Sequence, residues 1–365
     1  MPPNFIHSRG PLSQSSQNFA NLGAQWDSPV GILSILTVIG GDIVQGALAQ
    51  SASSRYFAPV ALSFGWVAYS FSAIVAVIGR RRFAPDPDCP CTLLDVNTGY
   101  PRDVKSWVLS RLVRDFEVPD GNQQGLTVAF YQTSPDKATG VPDRDWVYYS
   151  GIIVIALQIG ISVIPGALFG NWVILILTFG GLVLVQLQAS LPQWREELWQ
   201  ARRITEGKQE VVCLTRGNGS SYVMVIKSDG CGVRLSDLAA GREVRSKNIV
   251  PATFSLAILW LAHLFSIIAV KNDTWYLLLI GGLGMLQNAL VSGVRRQPGA
   301  LGFHLEKVRD IHDKKVFKAL QAAEEVEKKV GVLLTSVFFP GGLRPDEDDW
   351  KQEKIAKYQG GRYSC

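Results

Sequence analysis

The chain is predicted to be an α-helical polytopic membrane protein: six transmembrane helices as three hairpins, with a small α+β cytoplasmic domain assembled from the inter-hairpin and C-terminal segments. Three observations predict this. Hydrophobic residues make up 47% of the chain and charged residues only 18%, below the roughly 25% charged residues usual in soluble domains. The apolar residues gather into six near-continuous runs, at about 29–50, 57–79, 147–168, 172–191, 252–270 and 275–294. Each approaches the roughly 20 helical residues needed to cross ~30 Å of hydrocarbon. The third observation is charge asymmetry between the two sets of run ends.

Residues 1–27 are polar and rich in Ser, Gln and Asn, and read as a disordered cytoplasmic tail without a cleavable signal peptide. Residues 28–79 form the first hairpin, 147–191 the second and 252–294 the third. Their tight connections carry only Arg55, Lys271 and Asp273. The opposite ends are basic: Arg80, Arg81 and Arg82 follow the second run, Arg195, Arg202 and Arg203 the fourth, and Arg295 and Arg296 the sixth; Arg242, Arg245 and Lys247 precede the fifth. Lys and Arg at span ends mark the cytoplasmic side, which puts both termini there. The net charge of +5 is explained by this orientation and calls for no nucleic acid; the lipid bilayer is the first partner. Trp26, Trp146, Tyr148, Tyr149 and Trp194 at one edge, and Tyr56, Trp172, Trp275 and Tyr276 at the other, suit interfacial belts.

Residues 80–146, 192–251 and 295–365 remain as cytoplasmic segments, enough chain for a small domain. Residues 103–116 space Val104, Trp107, Val108, Leu112 and Phe116 as a helix does. Residues 125–133 are rich in β-formers, and 209–228 set two β-rich runs around Asn218-Gly219, a hairpin. Residues 304–330 read as one long amphipathic helix, with Leu305, Val308, Val316, Leu320, Ala323 and Val330 on one face. Residues 330–339 read as a strand, Asp346 as the cap of a last helix, and 193–203 as an interfacial helix turning Trp194, Leu198 and Ala201 to lipid.

The chemistry-bearing motifs are sparse. No phosphate loop, zinc spacing or nucleophile elbow is present, and no cofactor, metal ligand set or catalytic residue is indicated. Cys89, Cys91, Cys213, Cys231 and Cys365 all fall in cytoplasmic segments, where disulfides are disfavoured. Cys89 and Cys91 lie near a span end and are candidates for palmitoylation. Asn218 and Asn272 match the glycosylation acceptor, one predicted cytoplasmic and the other held against the membrane; neither is expected to be modified.

The membrane runs hold an informative polar set. Asp42 is their one formally charged residue and His263 their one histidine. A charge at midplane costs ~2.5–3.5 kcal/mol on insertion scales, so it faces a bundle interior or water. At 1.5 Å rise per residue, Asp42 sits roughly 18 Å and His263 roughly 16 Å from the cytoplasmic edge, within reach of each other. Gln45, Gln158, Gln186, Gln287 and Asn288 complete an intramembrane polar cluster. The pairs Gly40-Gly41, Gly180-Gly181 and Gly281-Gly282 each precede a glutamine by four to six positions. Small residues let helices approach so that amides hydrogen-bond across the contact. The polar set is therefore either interhelical bonding or a proton- or ion-coupled site.

The stretches GILSILTVIGGDIVQGALAQ, FAPVALSFGWVAYSFSA, GGLGMLQNALVSGVRR, GFHLEKV and FFPGGLRPDEDDW resemble an uncharacterised multi-span, six-helix membrane protein family of filamentous fungi, over roughly 28–350. The resemblance implies a fungal membrane protein with a cytoplasmic portion, and brings no activity or site residue. Three function classes follow, in order: a membrane-anchored interaction, scaffold or sensing protein presenting its domain to a cytoplasmic protein partner; a transporter or channel using Asp42 and His263; and a membrane enzyme, for which Glu196, Glu197, His304 and Asp310 are the candidates near the interface.

Overall fold

The computed structural model of the chain describes residues 40–51, 57–79, 82–116 and 124–360. The tail 1–27, residues 29–39 of the first apolar run, Trp26, Tyr56 and Cys365 lie outside the described residues. Along the chain come α1 (Gly41–Ser51), a stretch without regular structure at 57–63 with a turn at 64–65, and α2 (Trp66–Ile78). Next are β1 (Thr92–Asp95), β2 (Pro101–Asp103), α3 (Trp107–Phe116), β3 (Leu126–Thr133), α4 (Trp146–Phe169) and α5 (Val173–Ala189). Then follow α6 (Pro192–Trp199), β4 (Gln209–Thr215), β5 (Tyr222–Asp229), α7 (Leu235–Ala239), α8 (Ile249–Ile268) and α9 (Thr274–Gly293). Last are α10 (Pro298–Leu301), β6 (Leu305–Asp313), α11 (Val316–Val326), α12 (Val330–Phe338) and α13 (Pro345–Gly360).

Among the described residues four helices are long and apolar enough to cross a membrane: α4, the run from α5 through α6, α8 and α9. Their outer residues are bulky and exposed, such as Ile153, Phe179, Ile258 and Leu286, as a lipid-facing surface requires. Asp145 starts α4 by accepting from the Tyr148 N–H at 3.1 Å, and Gly170 ends it in the left-handed region at φ +71°. Both hairpins turn at the same end, where Asn171 Nδ2 donates to Asp273 Oδ2 at 2.8 Å. The other helix ends feed the sheet domain.

The described parts of the first two apolar runs, 40–51 and 57–79, do not pair as a helical hairpin. α1 has 11 residues and α2 has 13, too short to cross alone. They are also not antiparallel. Gly40 and Gly65 meet where the two helices begin; a Cβ on Gly65 would overlap the Gly40 carbonyl. Both then run toward the sheet domain: Gln45 Nε2 donates to Phe83 O just beyond α2, and the Gln50 carbonyl accepts from Arg296. The stretch 57–65 leads inward to that meeting point, so 57–79 runs into the bundle without regular structure and returns as a helix.

The sheet has six strands in the order β2-β1-β4-β5-β3-β6, all antiparallel neighbours except the parallel pair β3 and β5. All three intervening segments contribute strands, as expected of a domain assembled from inserts. Period-two alternation divides its faces. Val211, Cys213, Val223 and Val225 face α11 and α12 through Leu320, Ala323, Leu334 and Phe338. Val212, Leu214, Met224 and Ile226 face α3, α7 and the helix ends of the bundle. The Asn-Gly hairpin forms as expected, with Gly217 and Gly219 at φ +92° and +94°.

Four local expectations are corrected. The predicted helix over 304–330 is β6 followed by α11. Leu305, Val308 and Ile311 have helical spacing, but β3 lacked a second partner, and β6 supplies a ladder from Leu305–Thr133 to Asp313–Leu126 with a bulge at Phe130/Tyr131. The predicted strand 330–339 is α12, whose Val330, Leu334 and Phe338 all enter the core. The last helix begins at Pro345, with Asp346 in its first turn instead of at its cap. Helix α6 turns Trp194 and Leu198 inward, with Trp194 against Tyr69 and Phe83 instead of lipid.

Candidate functional site

The chain at 57–65 poses the problem that organises the bundle. Val60 N donates to Ala58 O at 2.8 Å, but the other peptide groups of 57–63 lack backbone partners among the described residues, and at membrane depth unpaired backbone is tolerated only where protein satisfies it. Three amide side chains do so. Gln158, twelve residues into the 24-residue α4, accepts from Leu62 N at 3.3 Å and donates to Leu62 O at 2.7 Å and Ile280 O at 2.9 Å. Asn288 of α9 accepts from Ala61 N at 3.3 Å and donates to Ala61 O and to Ser63 Oγ, both at 3.0 Å. Gln186 of α5 donates to Ala58 O at 2.8 Å. A carboxamide carries one acceptor and two donors, so a Gln or Asn can grip one residue at both its N–H and its C=O. Pro59, which has no N–H, removes one donor from the accounting.

Glycines bring the helices to this stretch. A Cβ on Gly284 would overlap the Leu62 carbonyl oxygen, and one on Gly151 would overlap that of Pro59. Neither was singled out by the sequence pattern. Of the predicted packing pairs, Gly40 contacts Met285, Gly41 contacts Ala68, Gly181 contacts Leu62 and His263, and Gly281 contacts the Phe64 ring, while Gly180 and Gly282 face open space. The amides therefore bond chiefly to the backbone of 57–65 instead of pairing helix with helix. Gln287, donating to Ser150 Oγ at 2.8 Å, and Gln45, donating to Phe83 O at 2.7 Å, are exceptions.

Asp42 and His263 do not meet. Asp42 lies in the first turn of α1, is exposed, and lines a cavity of about 1050 Å³ at the junction of bundle and sheet domain. Gln45, Arg82, Asp86, Asp88 and Arg114 share its wall. His263 lines a separate, apolar cleft of about 50 Å³ beside Phe64, Thr178 and Trp260, and its ring stands edge-on to Trp260 at 5.7 Å. A second cavity of about 260 Å³ adjoins the first, sharing Ala76, Arg82 and Glu243.

Beneath the large cavity lies a clamp of buried charge. Arg111 pairs with Asp88 at 2.7 Å and Asp115 at 3.4 Å, donates to Val294 O, and stacks over Trp107. Arg296 grips Asp145 with two hydrogen bonds at 2.8 and 2.7 Å and donates to Gln50 O at 2.6 Å. These contacts tie α3 to the end of α9, and α9 to α1 and α4. Cys89 and Cys91 are buried in the same core, so their thiols are not presented to an acyl transferase as palmitoylation requires. The contact between the two thiols holds the Cys89 pKa down and, with burial, pushes that of Cys91 up.

The residues considered for an interfacial enzyme do not form one site. Glu196 accepts from Ser246, Glu197 caps the N–H groups of Phe83 and Ala84, His304 contacts Val141 O, and Asp310 pairs with Lys307 on β6. Among the described residues no group of His, Cys, Asp and Glu is arranged to hold a metal ion. No protein-family model matches the chain, and no curated protein or solved structure does.

Proposed function

We propose that the protein is a membrane-anchored scaffold or sensing protein, whose bundle is a sealed anchor and whose sheet domain meets a cytoplasmic protein partner. The observation that carries this reading is the commitment of the deep amides: Gln158, Gln186 and Asn288 are taken up by the backbone of 57–65. A transport path would need such groups free. The sheet draws strands from every inter-hairpin segment, so its posture follows that of the whole bundle, which suits a sensor. Membrane passage by the four long helices, a cytoplasmic sheet domain, and kinship with the fungal family belong to this proposal; the basic run ends support the orientation.

A flux assay on the full chain in liposomes tests the anchor. Proton and alkali-cation flux should equal that of empty vesicles, in wild type and Asp42→Asn alike. The observation favouring transport instead is the placement of Asp42 in a large charged cavity, and flux abolished by Asp42→Asn would establish it. Impermeant thiol labelling of single cysteines placed at Asn218 and Asn272 should modify them from opposite sides. Labelling from the same side would overturn the topology.

A further inference from the structure

We infer that the two adjoining junction cavities form a binding site for the headgroup of a phospholipid bearing a primary ammonium. The site lies where α2 ends and α8 begins, at the level where the bundle meets the sheet domain. Its smaller cavity, about 260 Å³, is lined by Arg82 and Arg245 together with Ala76 and Val77 of α2 and Ile249, the first residue of α8. Arg82 is fixed by donating one N–H to Lys105 O, and a guanidinium has five donors. Arg245 makes no hydrogen bond or ion pair among the described residues. Two arginines with donors to spare against an apolar wall are the chemistry that recognises a phosphate diester at a membrane surface.

The carboxylates select among phosphates. Glu197 lies in the same wall, but its oxygens are already engaged by Phe83 N, Ala84 N and Gln193. Glu243 lines both cavities and, like Asp42 and Asp86 in the larger one, has no partner among the described residues. An anionic headgroup with no positive end would meet these acids unfavourably. A headgroup carrying phosphate and ammonium a few bonds apart would satisfy both sides, with its phosphate at Arg82 and Arg245 and its ammonium at Glu243. An ammonium donates three hydrogen bonds that a quaternary amine lacks. Tails have a path along α2, where Phe71, Val75 and Ile78 form an exposed apolar stripe, 44%, 59% and 65% exposed. The inference does not rest on the scaffold reading.

The test is native mass spectrometry of the full chain released from nanodiscs of equimolar phosphatidylethanolamine, phosphatidylcholine and phosphatidylglycerol. Wild type should retain the ethanolamine lipid about tenfold over the other two, the factor that one charged hydrogen bond of ~1.5 kcal/mol supplies. Arg82→Gln with Arg245→Gln should lose retention of all three, and Arg82→Lys with Arg245→Lys should restore part of it. Glu243→Gln should keep retention but level ethanolamine with choline. A melting curve on each variant separates lost binding from lost fold. No enrichment in wild type, or enrichment unchanged in the double glutamine variant, would overturn the inference. So would displacement of the lipid by millimolar inorganic phosphate, which would assign the arginines to a free anion.

Discussion

Two parts of this molecule bury polar groups, and they do so with different chemistry. Around residues 57–65, deep in the bundle, the work is done by neutral amides. At the junction with the sheet domain it is done by ion pairs: Arg111 with Asp88 and Asp115, and Arg296 with Asp145. Depth explains the difference. A charge at midplane costs ~2.5–3.5 kcal/mol even on the mildest scale, whereas an amide can match a residue's backbone donor and acceptor at no charge cost. At the junction, water and the ends of four helices supply the remaining partners, and charge becomes tolerable. Asp42 fits the same rule, for it opens onto the junction cavity.

The largest expected effect comes from breaking the deep region. Gln158→Leu leaves Leu62 N and Leu62 O without partners and strips a bond from Ile280 O. At ~1–3 kcal/mol for each buried group left unsatisfied, the loss should reach about 2–6 kcal/mol. Gln287→Leu removes a single bond to Ser150 Oγ and should cost only about 1 kcal/mol. Unfolding of both variants in mixed micelles measures the gap. Equal losses would show that the bonds to the backbone of 57–65 have no special weight.

At the junction, Arg111→Met should cost about 3 kcal/mol, the low end for breaking a buried pair. Asp115, whose side chain is fully buried, would then rely on Arg114 and the Arg296 N–H alone. Replacing Arg111, Asp88 and Asp115 together by apolar residues should recover much of the loss, because Arg114, which pairs with both acids, is 26% exposed and can turn to water. No such recovery is expected in the deep region, because a peptide unit cannot be mutated away. A triple variant as unstable as Arg111→Met alone would erase the distinction between the two regions.

How far this was legible in the sequence differs between them. The long hairpins, the strands over 126–133 and 209–229 and the polar membrane residues follow from run length, alternation and composition. The inward course of 57–65 did not, because an apolar run of helical length gives no sign of being only half helical. The signal that existed was Pro59 beside amides at mid-helix in other runs, two facts that become one only when helices are placed. The junction clamp was invisible for a related reason: Arg111 and Asp115 look like an ordinary exposed i, i+4 pair until Trp107, Val294 and Gln50 close around them. The exchange of helix for strand at 304–313 shows the tertiary partner deciding, since Leu305, Val308 and Ile311 are spaced for a helix and β3 still draws them into a strand.

A milder way to sharpen the comparison is steric. Gly284→Ala pushes a methyl into the Leu62 carbonyl, while Gly282→Ala on the same helix meets open space. The first should cost roughly 1–3 kcal/mol as overpacking. The second should be neutral or slightly stabilising, because alanine is the better helix former by ~1 kcal/mol. Opposite signs two residues apart would locate the stretch 57–65 against that face of α9. Equal effects would remove it from there.

The smallest effect lies outside both regions and calibrates them. Asp237 accepts from Arg202 Nε at 2.6 Å and from its terminal nitrogen at 2.9 Å, and this hydrogen bond, with the guanidinium charge, holds its carboxyl below the usual range. A carboxyl whose folded pKa is depressed adds stability above its ordinary value near 3.9, and loses it as pH falls through the lowered value. The Arg202 side chain is 64% exposed, so water screens the pair and the contribution should stay below ~1 kcal/mol. Wild type and Asp237→Asn should therefore differ by a few tenths of a kcal/mol at pH 6 and converge toward pH 2. A gap that is large, or that persists unchanged into acid, would mean that this pair belongs energetically with Arg111 and not with the solvated surface.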